Sequence, residues 1–322
     1  MEKIDIPNSV IKIGISAFKH CYSLKEVHLS NGIKEIADST FYSCLSLERI
    51  TIPNHVKVVG SCAFGNCKVL KEIQLPESVE IIESYAFAKC SSLEKIDIPN
   101  RVIKIGHNAF YCSNLEKINI PNTVQSIGKC AFEDCKNLKD VHLPNSIKKI
   151  EVSTFAGCLS LNNIFIPDNV KTIGEGAFFK CEALKEVWIS NGAKVIDEYA
   201  FCYCISLETI FIQNGLEEIG NCAFLNCFAL KKIDIPNTVK RIGKEVFYKC
   251  KSLENVSIHG NIKKIDSHTF YDCGSLKEIH LEEGIQEISD LAFENCISLK
   301  FIKIPDSVNK FKKTGLSDGV LF

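Results

Sequence analysis

A phenylalanine returns every 23 residues along this chain. The column runs Phe18, Phe41, Phe64, Phe87, Phe110, then, after one step of 22, Phe132, Phe155, Phe178, Phe201, Phe224, Phe247, Phe270 and Phe293. A period kept over nearly all of 322 residues restricts the fold to an array in which each unit packs on its neighbours. Length alone argues for two domains. The unbroken period overrides that prior, because an array grows by adding turns and escapes the size limit of a single core. The expected fold is a repeat solenoid over residues 1–311, with thirteen full units and a partial fourteenth, followed by a short tail at 312–322.

Every unit repeats one skeleton. The unit from Leu184 has Val187, Ile189, Ile196, Ala200, Phe201 and Cys204; the next, from Leu207, has Ile210, Ile212, Leu216, Ile219, Ala223, Phe224 and Cys227. Val187 and Ile189 alternate, so they share one face of a strand, and Glu186 and Trp188 point the other way. Strands stacked ~4.8 Å apart make a parallel sheet about 60 Å long over the array. A second short extended stretch follows, as in Val10 to Ile13. The segment around Ala200, Phe201 and Cys204 is too short for an independent helix; a single helical or 3₁₀ turn is expected, with its Phe in the interior.

The turn after the first strand follows a rule. All nine prolines occupy it, among them Pro7, Pro53, Pro167 and Pro236, and the five turns without Pro carry Gly instead: Gly32, Gly192, Gly215, Gly260 and Gly284. Proline presets φ near −65° and glycine permits positive φ, so two turn geometries with shared endpoints are expected.

Seventeen cysteines suggest a disulfide framework until they are mapped. Thirteen fall in one column, from Cys21, Cys44 and Cys67 to Cys296, each three residues after the Phe; Cys112, two after Phe110, is the exception. Thiols at a recurrent interior slot read as small buried hydrophobes. Cys202 with Cys204, and Cys222 with Cys227, superficially suggest a metal, but no His completes a tetrahedral set. Neither a metal nor a cofactor is expected.

Lys and Arg (38) nearly cancel Asp and Glu (39), which argues against a nucleic-acid binder. No apolar run approaches the ~18 residues that span a bilayer. Met1 already stands in the first Leu slot, without the basic and apolar regions of a leader, so the cytoplasm is the default address.

The units resemble the BspA-like, or Tp-type, class of leucine-rich repeat. The residues that carry the likeness are Leu93, Ile96, Ile98, Pro99, Asn100 and Val102 with Ile105, Gly106, Ala109, Phe110 and Cys112, and it extends over essentially the whole chain. Such repeats occur in bacterial and protist proteins, many of them surface-exposed and implicated in adhesion. The resemblance therefore implies the cell surface as the alternative address, and a surface antigen or adhesin as the role. It supplies no catalytic residues.

Function is expected where the repeat leaves residues free, on the outward positions of the strand face, read as the concave one. The column in the slot of Trp188 runs Asp5, His28, Thr51, Gln74, Asp97, Asn119, His142, Phe165, Trp188, Phe211, Asp234, Ser257, His280 and Lys303. Eleven of its fourteen members are polar; the three aromatics are consecutive, and Trp188 is the only Trp. Glu186, Ser190 and Gln213 lie beside them, with His142 and Asp234 at the ends. Aromatic anchors with a polar rim are the composition of a binding hot spot. Three such rings carry roughly 500 Å². A stabilising aromatic ladder is the competing reading, at about 0.5–1.5 kcal/mol per stacked pair.

The sequence thus points to a non-catalytic module that binds a protein on the ridge of Phe165, Trp188 and Phe211. Intracellular scaffold or regulatory subunit is the alternative, and a carbohydrate-binding solenoid a further one, since aromatics stack on sugars. Asn255-Val256-Ser257 is a lone glycosylation sequon that chance explains. Met1 opens on a strand, which invites weak end-to-end self-association.

Overall fold

A computed structural model describes residues 2–259 and 261–311. They form 26 short strands and, among the described residues, no helix. The chain divides into two compact units, Met1–Leu161 and Asn162–Phe322. Both are parallel-strand solenoids of like turns.

In the first unit, the strands Lys3–Asp5, Glu26–His28 and Arg49–Thr51 pair in parallel, as do Lys117–Asn119 and Asp140–His142. The second stretch forms its own ladder: Glu35–Ile36, Val58–Val59, Ile81–Ile82, Lys104–Ile105 and Ser126–Ile127. In the second unit the first ladder has longer strands. Asn163–Ile166 pairs with Glu186–Ile189 and that with Thr209–Ile212; Lys232–Ile235 pairs with Asn255–Ile258 and that with Glu278–Leu281. Apolar residues point inward and the intervening ones outward, as in Asn163–Ile166, where Ile164 and Ile166 are buried and Asn163 and Phe165 exposed.

The Phe column fills the interior. Phe41, Phe64, Phe87, Phe110, Phe132 and Phe155 are fully buried in the first unit, and Phe178 to Phe293 in the second. Successive rings stack: Phe41 on Phe64 at 5.4 Å, Phe201 on Phe224 at 5.5 Å with planes parallel. Phe18, in the first turn, is only half-buried, and Ile11 and Ile15 beside it are 75% and 71% exposed.

The expected helical turn around each Phe is not there. The residues two before and two after the Phe take left-handed backbone, as at Ser39 (φ 54°) and Ser43 (φ 59°) around Phe41; Gly157 and Gly176 occupy two of these slots. The alternation aims every second N–H at the next turn: Ser39 donates to Ser61 O (2.7 Å), Phe41 to Ala63 O (2.8 Å) and Ser43 to Gly65 O (2.8 Å). Intervening donors close locally, Tyr42 N to Ser39 O and Cys44 N to Phe41 O. A helix would turn all of its N–H groups along one segment and leave nothing for the neighbouring turn. Within each unit most turns hold the next by three such hydrogen bonds, which offset the cost of about 1–2 kcal/mol per left-handed L-residue.

The Pro-or-Gly rule has a mixed outcome. Gly215 (φ 128°) and Gly284 (φ 111°) use positive φ, whereas Gly32 and Gly192 do not. Gly192 is required by space instead, since a Cβ there would stand 1.5 Å from Asp168 O. Gly260 and the tail 312–322 lie outside the described residues.

The cysteine column is interior, with one correction. Cys67, Cys90, Cys135, Cys227 and Cys250 are fully buried, and each donates its Sγ–H to the carbonyl of the Phe one turn back, at 3.1–3.3 Å. Cys112 is not in this column. Ser113 fills the slot, buried, with its N–H on Phe110 O as a column Cys would have it and its Oγ 3.3 Å from Cys135 Sγ. Cys112 takes the left-handed position (φ 55°) and is part-exposed. The missing residue of this repeat therefore falls after Ser113, before Leu115.

Candidate functional site

The three aromatics singled out in the sequence lie on the outward strand face of the second unit. Phe165 is the Cα partner of Trp188, and Trp188 of Phe211, because parallel pairing at a 23-residue step keeps like positions side by side. Phe165 is 58% exposed and Phe211 48%; Trp188 is half-buried. The rings of Trp188 and Phe211 stack with centroids 5.8 Å apart and planes 12° apart. Each ring covers one face of the other.

Glu186 lies between Asn163 and Thr209 in the neighbouring column and is part-exposed. Gln213 is exposed at the strand end, its N–H on Ile189 O at 3.2 Å. Ser190, expected on the rim, is 7% exposed: its slot is packed inward, as at Ser30 and Pro167 in other turns, so it offers little to a partner. His142 belongs to the first unit, exposed at the end of the strand Asp140–His142, with Nδ1 3.8 Å from Asp140 Oδ1.

Asp234, in the next strand of the second unit, has company the sequence did not suggest. His259 Nε2 lies 2.9 Å from Asp234 Oδ1 and His259 Nδ1 2.8 Å from Glu282 Oε1. Both nitrogens face carboxylates, an arrangement that favours the imidazolium. The hydrogen bond to Glu282 raises the His259 pKa, the charges of Asp234 and Glu282 add to it, and burial opposes it. His259 and Glu282 occupy the proline slot of successive turns, so their spacing of one repeat was the available signal.

The first unit presents a different strand face. A groove of about 1260 Å³ runs along it, lined by Glu26, His28, Arg49, Glu72, Gln74 and Lys95 among others. Charges alternate from turn to turn, and Glu26 sits 3.5 Å from Arg49 and 4.0 Å from Lys3. Exposed pairs of this kind contribute little stability each, but they leave this face electrostatically self-matched. In the second unit the ridge replaces such pairs with apolar surface.

A parallel-strand solenoid with recurrent Leu, Ile, Phe and Cys columns and a patterned outer strand face defines a leucine-rich repeat protein. Within that class, the chain belongs to the family of BspA type leucine rich repeat regions, which it matches over residues 1–114, 103–227 and 194–318. It is similar to the crystal structure of a leucine-rich repeat protein from Bacteroides ovatus, at 28% identity and a TM-score of 0.77, covering 97% of this chain and 81% of that one. It is also similar to a leucine rich cell surface protein from Faecalibacterium prausnitzii, at 26% identity and a TM-score of 0.51, covering 93% and 86%. Among curated proteins nothing matches the chain. Membership of this family is consistent with a non-catalytic interaction module.

Proposed function

We propose that this protein recognises a protein partner through the strand face of its second unit, with Phe165, Trp188 and Phe211 as anchors and Glu186, Gln213 and Asp234 as the polar margin. One observation carries the reading. Phe165 and Phe211 stand half-open to water on a face whose other outward residues, Phe301 apart, are polar. Large rings left in solvent cost free energy that a partner recovers by covering them. The cell-surface description of the Faecalibacterium relative supports a surface setting, in which the module acts as an adhesin.

The ring geometry favours protein over carbohydrate. A sugar packs on an open aromatic face, and Trp188 and Phe211 close one face of each other. Stacked side by side and flanked by Phe165, they form a ridge suited to a partner's apolar groove.

The test uses binders selected from a random-peptide library on the intact protein. Binders are expected to lose the variant Phe165→Ala/Trp188→Ala/Phe211→Ala while its circular dichroism stays unchanged. Equal retention by a folded triple variant overturns the ridge. Glycan binding that vanishes in Trp188→Ala supports the carbohydrate reading instead. Biotinylation of intact cells reads the surface setting directly.

A further inference from the structure

The second unit has another aromatic surface, on the edge formed by the turns that follow the buried Phe column. Phe179 and Tyr203 meet edge to face at 5.9 Å. Two turns on, Tyr248 and Tyr271 stack at 4.8 Å. Phe228, between them, is 37% exposed, and Tyr203 39%. These turns are successive and hydrogen-bonded, Tyr203 N to Leu225 O, Asn226 N to Tyr248 O and Lys249 N to Tyr271 O, so the rings form one continuous edge.

Lysines accompany the rings. Lys180 Nζ lies 5.2 Å from the Phe179 centroid and 5.9 Å from that of Tyr203, Lys249 Nζ 5.2 Å from Tyr248, and Lys251 Nζ 5.7 Å from Phe228. No carboxylate pairs with these three ammoniums among the described residues, in contrast to Lys194, Lys231, Lys240 and Lys277 of the same unit, each within 3.1 Å of a glutamate. Cation–π contact holds an ammonium in place without neutralising it. Glu182 shares the first turn of the edge with Lys180, and Asp272 stands in the last, one turn beyond Lys249 and Lys251, so the cations outnumber the carboxylates along it.

From this charge and apolar surface together we infer a second docking site, for an acidic protein segment that carries an apolar residue. Its carboxylates pair with Lys180, Lys249 and Lys251, and its apolar side chain packs among Tyr203 and Phe228. A nucleic acid fits less well. The ring faces of Tyr248 and Tyr271 are turned on each other, and three cations are few for a phosphate backbone. The surface is distinct from the strand-face ridge and does not depend on it.

The probe is a fluorescein-labelled dodecapeptide of Glu and Asp with one central Phe, titrated by anisotropy against the full chain. Binding is expected, and Lys180→Gln/Lys249→Gln/Lys251→Gln should weaken it by at least about tenfold. The control Lys194→Gln/Lys231→Gln/Lys277→Gln removes the same charge from paired lysines and should change it by less than about twofold. Phe228→Ser alone should weaken it severalfold, and retains every charge. Equal loss in both triple variants, no binding by the native chain, or an oligo-dT of similar length that binds as tightly overturns the inference.

Discussion

Trp188 and Phe211 are Cα partners on adjacent parallel strands, and their rings stack 5.8 Å apart with planes 12° from parallel. Each therefore shields one face of the other. The single Trp makes this contact readable: Phe211→Ala should shift the emission of Trp188 to the red and raise its quenching by iodide. An unchanged spectrum would show that the pair does not stack in solution.

The interior ring stack predicts a gradient of cost. Phe64→Ala removes a fully buried ring held between Phe41 and Phe87 and should destabilise by about 3–5 kcal/mol. Phe18→Ala removes a half-buried ring stacked on one side, and should cost less than about half as much. Urea midpoints of the two variants compare them directly.

Left-handed backbone around each Phe predicts two opposite glycine effects. Lys89 is exposed at φ 59°, so Lys89→Gly should stabilise by up to about 1 kcal/mol. Gly157 stands at φ 71°, where a Cβ would come within 2.5 Å of Asp134 Oδ1, so Gly157→Ala should destabilise by about 1–2 kcal/mol. Thermal melts of the two variants should move in opposite directions.

His259, bracketed by Asp234 and Glu282, has its pKa raised from 6.5, chiefly by the hydrogen bond with Glu282. Its contribution to stability is therefore complete below about pH 6.5 and is lost as pH rises through the higher folded-state pKa. Glu282→Gln should return the His259 titration, followed by NMR, toward its ordinary value. A wild-type titration at or below 6.5 would contradict the geometry.

Burial pushes the Cys90 thiol up to about 12, and Cys67 and Cys227 well above their ordinary range. A disulfide reagent at mildly alkaline pH should leave these column thiols untouched in the native protein and reach them on unfolding. The part-exposed Cys21, Cys62, Cys112 and Cys130 should react first. Rapid native modification of Cys90 would mean the interior opens more readily than its packing implies.

The ridge itself is legible in the amino-acid sequence, because a fixed repeat in parallel register converts column position into spatial neighbourhood. Phe165, Trp188 and Phe211 had to be adjacent, and they are. Ser190 departs from its expected place on the rim because the slot it fills is packed inward in other turns as well, as at Ser30, Pro99 and Pro167, and that packing is tertiary. His259 and Glu282 are hidden because the slot they fill usually holds proline, which signals backbone geometry and conceals side-chain partnership. The Lys180 edge does not show as a column, since its members come from different slots: Phe179 one, Tyr203 two and Phe228 four residues after their Phe.

The sequence by itself determined the repeat, its inward columns and the register of the strands, since a 23-residue period of Leu, Ile, Phe and Cys buries its apolar atoms in only one arrangement. Tertiary structure decided the backbone around each Phe. Locally, Ala-Phe-x-x-Cys satisfies a helical turn at lower conformational cost; only a neighbouring turn, offering carbonyls at every second residue, makes the left-handed alternation favourable. It also decided which charges stay unpaired, because ion pairing depends on side-chain reach between turns rather than on composition.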